Sequence, residues 1–91
     1  MIDAMFNEIL MALGEGLKKH QLVFQMHPKT WENLRDENVQ FILRQMKTEW
    51  LSVNSPTSYI DSENRSFQGV PIVLNVKYSG WRLVAMQEIN A

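Results

Sequence analysis

Apolar residues recur at helical spacing from the first residues onward. Ile2, Met5, Phe6, Ile9, Leu10, Leu13 and Leu17 are three or four apart, while Asp3, Asn7 and Glu8 fall on the other side. That spacing predicts an amphipathic helix over 3–19. Asp3 or a neighbour is placed to satisfy free amides in its first turn, and Gly14 and Gly16 weaken its end. Lys18, Lys19 and His20 suit the negative end of the helix dipole. The period then shortens to two. Leu22, Phe24 and Met26 alternate with Val23 and Gln25, which predicts a strand over 21–26. Pro28 ends this strand and suits the first turn of a helix. Trp31 and Leu34, then Val39, Ile42, Leu43, Met46 and Trp50, restore the helical period, so 28–50 reads as helical. Asp36-Glu37-Asn38 leaves open whether this is one helix or two.

The pattern breaks down over 52–68. Residues 52–58 with Pro56 are loop-like, and 59–68 is a polar excursion or short hairpin. Alternation returns with Val70, Ile72, Leu74 and Val76, and again with Trp81, Leu83 and Ala85. Tyr78-Ser79-Gly80 lies between the two runs, so 70–88 is predicted to be an antiparallel β-hairpin. Pro71 belongs at an edge or at a strand start, where its missing donor costs least. The fold class is α+β, in one domain over 1–91: an N-terminal amphipathic helix, a short strand, one or two helices and a C-terminal hairpin forming a small sheet.

Composition narrows the functional classes. Ten acidic against nine basic side chains give a net charge of −1, which makes nucleic acid an unlikely partner. The chain has no cysteine, so thiolate metal sites and cysteine nucleophiles are excluded. No apolar run approaches the roughly 20 residues a membrane span requires. Residues 1–13 carry Asp3 and Glu8 and no basic segment, unlike a signal peptide, so a cytoplasmic location is expected.

The two histidines, His20 and His27, flank a predicted strand and do not make a compact ligand pair; no metal or cofactor site is expected. His27 can instead cap the helix that starts at Pro28. Glu32, Asp36 and Glu37 lie among Lys29 and Arg35 and read as a solvated face. An acid–base site would need His27 within reach of Glu32, Asp36 or Asp61. The six serines Ser52, Ser55, Ser58, Ser62, Ser66 and Ser79 lack a nucleophile-elbow context, so no catalytic residue is assigned and a non-enzyme is expected. Two of the three tryptophans, Trp31, Trp50 and Trp81, are expected in the core. The broad apolar stripe of the first helix and Trp50 supply a candidate interface: Ile2, Met5, Phe6, Ile9, Leu13 and Trp50.

The run Val23-Phe24-Gln25-Met26-His27-Pro28-Lys29-Thr30-Trp31-Glu32-Asn33-Leu34-Arg35 resembles the strand–proline–Trp–Leu helix start of major capsid proteins of tailed phages. In that family a polar excursion leads to a Gly-x-Pro-Val strand and a short return strand. Phe67-Gln68-Gly69-Val70-Pro71-Ile72-Val73 and Gly80-Trp81-Arg82-Leu83-Val84 are similar in kind and order. The likeness covers 21–86 and departs from the family in lacking the long N-terminal arm, the extended loop and most of the mass of a shell protein. It implies a non-enzymatic phage or prophage protein, accessory or structural, that acts by protein–protein contact with a partner or as a homo-oligomer. Its expected location is the host cytoplasm or a virion. The alternatives are a small regulatory or nucleic-acid-associated domain, for which Lys18, Lys19, His20, Lys29 and Arg35 would have to gather, and a small enzyme.

Overall fold

A computed structural model describes residues 1–48 and 58–86. Trp50, residues 52–57 of the expected loop and residues 87–88 of the expected hairpin lie outside them. The first helix, α1, spans Ile2–Gly14 and stops earlier than its apolar period suggests. Gly16 adopts φ +94°. Its N–H bonds to Leu13 O, and Leu17 N–H reaches back to Ala12 O, both at 3.1 Å. This pair of bonds around a left-handed residue closes the last carbonyls of a helix, so Gly16 is a stop signal and not a weak interior position. A 3₁₀ turn, Lys19–Gln21, follows, and the basic trio lies beyond the helix. At the other end Asp3 makes no capping bond. Glu37 does so from a distant element: its Oε1 accepts from Ile2 N–H at 2.8 Å and lies 3.2 Å from the Met1 ammonium.

Strand β1 is Leu22–Met26, and α2 is Pro28–Thr48, one continuous helix through Asp36-Glu37-Asn38. His27 joins them in the capping role expected of it. Its Nδ1 accepts from Lys29 N–H at 3.0 Å, and its carbonyl accepts the first helical bond, from Trp31 N–H. The excursion over 59–68 is a hairpin of two short strands, β2 (Ile60–Asp61) and β3 (Ser66–Phe67). Phe67 then pairs with Val70 across Gln68 and Gly69, both at positive φ, a two-residue turn that leads into β4, Val70–Leu74. Pro71 is the second residue of β4, just before pairing with β1 begins at Ile72.

Strands β4 and β5 (Trp81–Ala85) do not pair with each other. The sheet order is β2-β3-β4-β1-β5, with β1 parallel to β4 and antiparallel to β5. The expected C-terminal hairpin is therefore two strands split by β1, and the small sheet is mixed. Residues 75–80 pass around the end of β1, where Asn75 N–H bonds to Met26 O at 2.8 Å and His27 N–H to Gly80 O at 3.0 Å. The α+β class stands.

Leu22, Phe24 and Met26 form the sheet's contribution to one core with Phe67, Val70 and Ile72. Ile2, Met5, Ile9 and Ala12 of α1 and Trp31 and Leu34 of α2 join it. Phe24 is at its centre, with Phe67 and Trp81 each edge-on to its ring at 5.7 Å. Trp31 is buried, and Trp81 is packed against the cluster but partly exposed.

Candidate functional site

Two of the residues with chemical potential, His27 and Asp61, are committed to local structure. His27 Nδ1 is the α2 cap. Asp61 accepts from the backbone of Asn64 at 3.2 Å, the Asn64 side chain at 2.8 Å and the backbone of Glu63 at 3.0 Å. Those bonds, from Asn64 first, hold its carboxyl below its ordinary range. Glu32, Arg35 and Asp36 line an open cleft beside Ile60 and Ser62, whereas His27 lines another with Lys29, Lys77 and Tyr78. The structure thus does not bring His27 together with Glu32, Asp36 or Asp61. Among the described residues no group of three or more His, Asp or Glu side chains is arranged to hold a metal ion. No helix among them is long and apolar enough to cross a membrane.

The basic residues needed for a nucleic-acid surface are dispersed. Lys19 Nζ donates to Gln68 O at 2.9 Å, Arg35 lies 5.9 Å over the Trp31 ring, and Lys29 belongs to the other cleft. They do not gather as that alternative requires.

The apolar surface of α1 is more informative. Its residues divide into three faces at helical spacing. Ile2, Met5, Ile9 and Ala12 face the core, so the first three, all candidate interface residues, are interior and not surface. Phe6, Leu10 and Leu13, spaced i, i+4, i+7, form a second stripe along the core face, 37%, 51% and 38% exposed. Phe6 borders Tyr59, whose ring it meets edge-on at 6.3 Å, and Tyr59 in turn contacts Phe41 at 4.9 Å and stacks on Phe67 at 6.2 Å. The stripe is thereby continuous with an aromatic group running into the core. A third face carries Glu8, Met11 and Glu15, with Met11 61% exposed.

Among the described residues, Phe6 and Leu13 are thus the surface members of the expected interface. Leu10, more exposed than either, was not among them. The signal for it was available: an apolar arc wider than one buried stripe needs implies that its outer edge remains in water. Val39 and Leu43 of α2 are also about half exposed, although their spacing suggested a core face. Asn38, not an apolar residue, holds that buried position. Its Oδ1 accepts from Tyr59 N–H at 3.0 Å, and its Nδ2 donates to Ser58 Oγ at 3.1 Å.

No protein-family model, curated protein or solved structure matches this chain, so the functional reading rests on its own residues.

Proposed function

We propose that this is a non-enzymatic phage or prophage accessory or structural protein that acts by protein–protein contact. The observation that carries the contact reading is the Phe6–Leu10–Leu13 stripe. These large apolar side chains remain in water although α1 already fills its place in the core with Ile2, Met5, Ile9 and Ala12. Contiguous exposed apolar surface of this kind favours a partner that removes it from water. The phage component rests on the likeness to tailed-phage capsid proteins. The segments carrying that likeness are β1 with the start of α2, the β3–β4 junction and β5; β4, β1 and β5 are adjacent in the sheet.

The test replaces Leu10 and Leu13 by glutamate together. Both are exposed, so circular dichroism and the unfolding midpoint should stay close to wild type. Association should be lost, with a second copy by light scattering or with virion proteins when the chain is produced during phage assembly. A wild-type chain that stays monomeric at high concentration and enters no assembly sensitive to these changes would overturn the reading.

A further inference from the structure

We infer that the outer edge of β5, together with the groove between β5 and α1, receives an extended segment of a partner protein in which an apolar residue is flanked, two positions to either side, by basic residues. This rests on the reading of the chain as a contact protein and gives it a second surface, separate from the Phe6–Leu10–Leu13 stripe.

The sheet has two edges. On one, β2 is two residues long and its Asp61 is folded into the following turn. On the other, β5 runs for five residues and, among the described residues, pairs only with β1. An edge strand presents unpaired backbone groups, and proteins usually blunt it with proline, a bulge or an outward charge. β5 has no proline, and its one charge is drawn away. Arg82 donates through Nε to Gln25 Oε1 at 3.1 Å on the neighbouring strand and lies 5.1 Å over the Tyr78 ring.

Beside this edge α1 overhangs a groove of about 200 Å³ whose lining includes Met11, Leu17, Leu22 and Leu83. Among the described residues its ionisable lining is Glu8 and Glu15, which stand two helical turns apart on either side of Met11. A strand added to β5 sends alternate side chains toward α1. An apolar residue there meets Met11, and basic residues two positions before and after it, on the same face of the strand, meet the glutamates. The same charges argue against a second copy. Two-fold pairing of β5 edges would bring the overlying α1 helices together and set Glu8 and Glu15 of each against those of the other.

The experiment titrates the isotope-labelled full chain with a short end-blocked peptide, lysine-serine-valine-serine-lysine, whose lysines and valine share one face of a strand, followed by amide chemical shifts. Saturable shifts confined to β5 and the Glu8–Met11–Glu15 face of α1 are expected. N-methylation of alternate peptide amides, which removes donors along one edge, should abolish them. A peptide with glutamate for lysine should not bind. The protein carrying both Glu8→Gln and Glu15→Gln should bind the lysine peptide about three- to tenfold more weakly. Equal binding of the N-methylated peptide would overturn strand addition. Shifts in β5 that grow with protein concentration without peptide would assign the edge to a second copy and overturn the proposed occupant. Absence of binding at millimolar peptide would end the β5 proposal, while the separate test on Leu10 and Leu13 would still decide whether the chain acts by contact.

Discussion

His27 shows how much one side chain can be asked to do at a junction. Proline at the first helical position needs no N–H partner, but the next amide, that of Lys29, does. A side-chain acceptor two residues earlier is the usual solution, commonly from Ser, Thr, Asp or Asn. Here the imidazole Nδ1 takes that place at 3.0 Å. His27→Ala should therefore lower stability by about 1 kcal/mol, whereas His27→Asp should match or exceed wild type. Chemical denaturation of the three proteins checks this, and an alanine variant as stable as wild type would show that the bond contributes nothing. The role was legible beforehand because it depends only on residues adjacent in sequence. The cap of α1 was not. Its acceptor, Glu37, lies 35 positions from Ile2, whereas the sequence pointed to Asp3 or a neighbour.

At the scale of elements, local signals and tertiary ones part company in α2. Asp36-Glu37-Asn38 looks like a break by composition, yet the helix runs through it, and two of the three residues make tertiary hydrogen bonds. Glu37 reaches α1, and Asn38 is buried against the chain leading into β2. Asn38 holds both Tyr59 N–H and Ser58 Oγ, fixing the hairpin to the helix and setting Tyr59 beside Phe41 and Phe67. Asn38→Ala removes an acceptor from a partly buried amide and should cost about 1–3 kcal/mol. It should also broaden or shift the amide resonances of Tyr59 and Ile60 ahead of those of β1. A loss confined to global stability, with no local change at Tyr59, would remove the anchoring role. A polar residue at a helical core position is invisible to a hydrophobic period, so the spacing of Val39 and Leu43 marks a helix without showing that Asn38 takes the buried place.

For the whole molecule, the decisive feature is which strand is central. Alternation located β4 and β5 correctly but said nothing about partners, and a glycine-containing connection between them favoured the local pairing. The contrary signal lay in β1. Leu22, Val23 and Phe24 are consecutive and all buried, so both faces of that strand are covered, as expected of an interior strand and not of an edge. Central placement explains why residues 75–80 loop around the end of β1 instead of closing a tight turn. It also makes a prediction that the hairpin arrangement would not. Amide exchange requires opening of the hydrogen bond, and among the described residues β1 is bonded on both sides while β5 is bonded on one. The amides of Val23 to Gln25 should therefore be the slowest in the molecule, approaching the global unfolding limit. Outward-facing amides of β5 should exchange early, and they are the ones a strand-adding partner would protect. If β4 and β5 were instead a hairpin with β1 beside it, β1 would lie at an edge or outside the sheet and lose its protection along one side. Residue-resolved hydrogen exchange distinguishes the two arrangements, because fast exchange at alternate β1 positions is incompatible with a strand paired on both flanks.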